Sequence, residues 1–126
     1  MPLRTASRKV SAFYNEYLQP LEINIAQFSL MQKIKKKGEI SITNLSHLSD
    51  LDRSTIGRNL RVLEKSQLVA LNNGIDQRET TVVLTEEGYE TLRKAEPLWL
   101  KAQAEFETKL GGPDKVKQFL EVLKSL

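Results

Sequence analysis

The chain has 126 residues, a formal net charge of +3 at pH 7 and no cysteine. That length fits one compact domain able to bury a core, and the missing thiols exclude disulfides, thiolate metal sites and thiol redox sensing. A mildly basic balance tolerates nucleic acid without requiring it, and no apolar run approaches the roughly 20 residues that span a bilayer. The stretch Met1 to Val10 is polar and basic, so no secretory signal is expected; the chain reads as soluble and cytoplasmic, with no membrane partner.

Arg4 to Leu18 has Val10, Phe13, Tyr14, Tyr17 and Leu18 at helical spacing, and Pro20 stops the run. A second helix is predicted from about Ala26 to Lys36, ending in lysines that suit the helix dipole, with Gly38 as its cap. Glu39 to Ile42 alternates like a very short strand. Thr43 then offers an N-cap for a short helix carrying Leu45 and Leu48, and Ser49-Asp50 reads as a turn. From about Arg53 to Lys65 the spacing predicts another helix, capped by Asp52 and stapled by Leu51 against Ile56.

After Gln67 the period changes. Leu68 to Leu71 is β-like, Asn72-Asn73-Gly74 has turn chemistry, and Thr80 to Leu84 is β-rich, which together predict a hairpin with a charged tip. Thr85 caps a long helix reaching Leu110, expected to bend or restart near Pro97. Gly111-Gly112-Pro113 breaks it, and a last helix carries Val116, Phe119, Leu120 and Leu123 on one stripe. The predicted fold class is mainly α with a small β-hairpin wing: a winged helix-turn-helix in one domain, residues 1–126.

At about 100° per residue, the helix Arg53 to Lys65 puts Ile56, Leu60 and Leu63 on one side and Ser54, Arg58, Arg61 and Lys65 on the other. That division suits a recognition helix in the major groove, where arginine can fork onto guanine. The amides near Ser54 and Thr55 favour a phosphate. Alone, the same face reads equally well as a solvated basic surface. The hairpin tip carries Arg78, which can enter a minor groove, with Asp76 able to shape it; the other reading is an exposed turn of mixed charge.

Asp76-x-Arg78, five residues, then Leu84-Thr85-x-x-Gly88 resembles the wing signature of the MarR family of transcriptional regulators. Ser54-Thr55-Ile56-x-Arg58, with Leu63-Glu64-Lys65 and Leu68-Val69 after it, resembles that family's recognition helix and its exit into the wing. The resemblance implies a triangular homodimer on double-stranded DNA, with helices from about residues 1–25 and 97–126 intertwining and the lobe of about residues 26–96 meeting DNA. It implies contacts by Ser54, Thr55, Arg58 and Arg78, with Asp76 positioning the wing, and a repressor on a pseudopalindromic operator; Arg53, Arg61 and Lys65 join the DNA-binding candidates as further cations of the same helix. Gly57, Ser66-Gln67 and Gln77 depart from the family pattern.

Many members of the family bind small aromatic or amphipathic effectors; Tyr14, Tyr17, Phe28, Met31 and Trp99 could line such a crevice, although aromatic stripes at this spacing are more often core. His47, the sole histidine, has no metal-ligand pattern around it. No nucleophile with a base, phosphate loop or metal cluster points to an enzyme, and no cofactor is implied. The competing function is a winged helix used as a protein-interaction module.

Overall fold

The computed structural model describes residues 3–49, 51–73 and 79–126. Six α-helices and three strands follow in the order α1 (Leu3–Leu18), α2 (Ile25–Lys37), β1 (Glu39–Ser41), α3 (Ile42–Leu48), α4 (Arg53–Lys65), β2 (Val69–Asn73), β3 (Thr80–Leu84), α5 (Glu86–Leu110) and α6 (Pro113–Lys124). A 3-10 turn, Gln19–Leu21, holds Pro20 between α1 and α2. Asn24 and Gln27 then form a reciprocal capping box at the start of α2. Each partner satisfies an amide that the helix itself leaves free.

The strands form one antiparallel sheet in the order β1-β3-β2. Ile40 pairs with Val82, and Val69 with Leu84. All four are buried, so the sheet turns one apolar face onto the helices. The core joins Phe28, Met31 and Ile34 of α2 to Leu45 of α3, Ile56, Leu60 and Leu63 of α4, and Leu92 and Ala95 of α5. α1 packs along α5, tied there by the Tyr14 hydroxyl donating to Gln103 Oε1 at 2.5 Å.

Three local expectations change. The cap of α3 is Ser41, whose hydroxyl accepts the Asn44 amide at 3.1 Å; Thr43 lies inside the helix, because the last residue of β1 already supplies the capping oxygen. Asn72 and Asn73 belong to β2 and pair with Thr81 and Thr80. The Thr80 hydroxyl also donates to Asn73 Oδ1 at 2.9 Å, so pairing takes in the first two residues of the predicted turn; Gly74 lies outside the described residues. Pro97 neither stops nor restarts α5, which runs unbroken through it. The carbonyl that loses its partner is that of Arg93, and both residues are exposed, so water can take the place of the missing N–H.

The glycine pair ends α5 as expected: Gly111 is left-handed at φ 105° and Gly112 has φ 100°. α6 then turns back with Phe119, Leu120 and Leu123 about half exposed, and none of its residues is buried.

Candidate nucleic-acid interface

α4 is positioned from both sides. Ile56, Leu60 and Leu63 are essentially inaccessible, which fixes the helix's roll against α2, α3 and β2. The Asp52 carboxylate accepts the Thr55 amide at 2.7 Å and the Ser54 hydroxyl at 3.1 Å, which fixes the start. Hydrogen bonds from Thr55, with help from Ser54 and the nearby Arg58 charge, hold the Asp52 carboxyl below its usual range. This cap alters one expectation. The Thr55 amide is already taken, and a carboxylate stands where a phosphate was expected; negative charge there opposes a second anion.

With the buried stripe turned inward, Arg53, Ser54, Arg58, Arg61 and Lys65 are all exposed. No ion pair among the described residues includes any of the four cations. The Arg58 guanidinium touches the Thr55 hydroxyl at 3.5 Å, and Thr55 is half-buried, so Thr55 serves to orient Arg58. An open cleft of about 810 Å³ runs between the start of α3 and this face, lined by Ile42, Arg53, Ser54, Gly57, Arg58 and Arg61. Ile42 was read as the end of a strand, and its place beside Gly57 comes from the α3–α4 turn, which no local pattern reveals. Asp76 and Arg78 lie outside the described residues.

The exit from α4 explains part of the wing motif. The Leu68 amide donates to the Leu63 carbonyl and the Gln67 amide to the Glu64 carbonyl, both at 2.9 Å. Gln67 sits at φ 64° in the left-handed region, where glycine is the usual occupant. The Thr85 hydroxyl donates to the Gln67 carbonyl at 2.6 Å and accepts the Gly88 amide at 2.9 Å. The Thr85 amide donates to the Leu68 carbonyl at 3.1 Å. A Cβ on Gly88 would lie 2.0 Å from that same carbonyl oxygen. Leu84-Thr85-x-x-Gly88 therefore clamps the exit of α4 to the start of α5.

Of the five residues expected around an effector, Tyr14, Phe28 and Met31 are buried, and Tyr17 and Trp99 are half-buried. Phe28 and Met31 are in the core, and Phe28 stacks on Trp99 with ring centres 5.9 Å apart. Tyr14 and Tyr17 instead meet Phe13, and Tyr14 also meets Phe106. Burial, reinforced by Glu107, raises the Tyr14 hydroxyl's pKa. His47 is exposed on α3.

Comparison with known proteins decides the family. The family described as transcriptional regulator SarA/Rot matches residues 12–95. The chain belongs to the SarA/Rot family of transcriptional regulators. An HTH-type transcriptional regulator of Bacillus subtilis, YhbI, is 31% identical over 108 residues, covering 85% of this chain and 70% of that protein. Among solved structures, the M. tuberculosis transcriptional regulator MosR in complex with DNA is 30% identical with a TM-score of 0.82, over 96% of this chain and 89% of that one. A mutant MarR from E. coli complexed with operator DNA is 27% identical with a TM-score of 0.85, over 98% of this chain and 89% of that one. The MarR-like winged-helix fold read from the sequence is thus the fold of this SarA/Rot member. Its family is one of regulators, not of enzymes.

Proposed function

We propose that this transcriptional regulator binds duplex DNA sequence-specifically as a homodimer, laying α4 in the major groove and the β2–β3 hairpin along the adjacent minor groove, and represses by occupying a pseudopalindromic operator. The observation that carries the reading is the exposed face of α4: four cations without ion-pair partners among the described residues, set opposite a fully buried stripe. A cationic face held this rigidly is shaped for base edges and phosphates. The DNA complexes of MosR and MarR support it.

In this arrangement Arg58, steadied by Thr55, reads a base. Arg53, Ser54, Arg61 and Lys65 meet base edges or phosphates on either side. Arg78 and Asp76 take the wing roles that the family motif gives them. α1, the second half of α5 and α6 bring two copies together, so that two recognition helices face half-sites roughly 10 base pairs apart.

The test is to select bound fragments from the source genome and measure affinity for the selected duplex. Arg58→Ala should weaken binding by about 1–3 kcal/mol and relax preference at one position per half-site. Affinity should also fall steeply with salt. A shallow salt response, with Arg58→Ala binding as the parent does, would sink the DNA reading in favour of a protein-interaction module.

A further inference from the structure

Gly57 lies half-buried on the flank of α4 that faces the cleft, and nothing in the fold asks for it. It is not among the positive-φ glycines, so its backbone conformation is open to any residue. A Cβ built on it meets no atom within 4 Å, so packing does not exclude a side chain. Glycine inside a helix weakens it by roughly 1 kcal/mol relative to alanine. A residue that costs stability, and is required by neither backbone nor packing, calls for a reason outside the folded chain.

Its surroundings supply one. Arg53 and Arg61 lie one helical turn before and after Gly57, and all three line the cleft, with Ile42 across from them. The missing side chain leaves a notch with an apolar floor, made of Gly57 Cα and Ile42, between two guanidiniums. The amide of a mid-helix residue is used within the helix, so the notch offers no donor to a phosphate of its own. Its rim attracts the polyanion, and its floor suits a small apolar group. In the major groove, only thymine presents a methyl group.

We propose that the Gly57–Ile42 notch receives the 5-methyl group of one thymine in each half-site, making Gly57 a specificity-determining residue. The assignment rests on the DNA-binding reading above, and adds to it the base that α4 selects by shape. The flanking arginines hold the helix over the groove, and the absent side chain lets the backbone come down onto the methyl.

The experiment uses the full chain and the duplex it selects. Each thymine is replaced in turn by deoxyuridine, which keeps the pairing and removes only the methyl. One replacement per half-site should weaken wild-type binding about fourfold, the worth of one buried methyl-sized group. Gly57→Leu fills the notch and favours the helix, so thermal melting should show a fold at least as stable. This variant should bind the thymine duplex at least tenfold more weakly, and the deoxyuridine duplex should bind it no more weakly than the thymine duplex does. If no replacement changes wild-type affinity by twofold, or if Gly57→Leu keeps the wild-type pattern, the notch assignment is overturned. Arg58→Ala separates the two levels: weakened binding by that variant together with indifference to the methyl removes only the notch, whereas failure to select any duplex removes the DNA reading and the notch with it.

Discussion

At the scale of single residues, the sharpest departure from the family pattern has a measurable cost. Gln67 adopts φ 64° at the end of α4, where a side chain crowds the following carbonyl by roughly 1–2 kcal/mol. Glycine removes that strain but gives back part of it, since the unfolded chain gains freedom worth about 0.4–1 kcal/mol. Gln67→Gly should therefore stabilise the fold by about 0.5–1 kcal/mol, read as a melting point a few degrees higher; no rise would mean that the strain is relieved by the surrounding hydrogen bonds. Asp52 gives a pH-dependent counterpart. Its carboxyl is held below the usual range by Thr55, so the native state prefers it ionised. That contribution is fully present above the unfolded value near 4 and is lost as pH falls through the lower folded one. Asparagine caps as well as aspartate but does not titrate there. Asp52→Asn should then match the wild type at pH 6 and lose less of its melting temperature on going to pH 3.

Between elements, the clamp at the base of the hairpin is the joint that sets how α4 sits against α5. The Leu68 carbonyl accepts the Thr85 amide and faces Gly88 with no space for a Cβ. Gly88→Ala must push the exit of α4 away from the start of α5. Backbone cannot yield as a flexible side chain can, so the loss should be at least about 2 kcal/mol, visible as a lower denaturant midpoint; an unchanged midpoint would show that α5 can slide. This joint also marks how far the elements were legible. α4 could be read with its cap and its buried stripe because every signal for it lies within 14 residues of chain, Asp52 to Lys65. The Gly88 contact could be flagged only as a motif, since its partner is 20 residues upstream. Of the predicted turn Asn72-Asn73-Gly74, the first two residues are in β2 because their local chemistry is outweighed by pairing with Thr80 and Thr81. A restart at Pro97 does not occur because the proline's cost falls on an exposed face, while Leu92 and Ala95 remain in the core and Leu98 and Trp99 pack against it.

The whole molecule poses the question of what covers α6. Phe119, Leu120 and Leu123 are 53%, 49% and 47% exposed, and Val122 is 59% exposed. Within the chain, α6 packs chiefly on α5. Burying a large apolar side chain contributes about 1.5–3 kcal/mol, so several such residues left in water amount to a substantial unused driving force. In the homodimer proposed above, a second copy would supply a matching surface through a twofold axis, since the same stripe can cover itself. Light scattering should then give a mass of twice 14.4 kDa at micromolar concentration, and the melting point should rise with concentration, as it does when folding and assembly are linked. The double substitution Phe119→Asp, Leu120→Asp puts two like charges on each copy of that surface and should leave a folded monomer with near-native helical content. Its affinity for a two-half-site duplex should fall by more than tenfold, because the second recognition helix no longer arrives tethered to the first. A wild type that scatters as a monomer, or a charged variant that remains a dimer, would place the partner surface elsewhere on the chain.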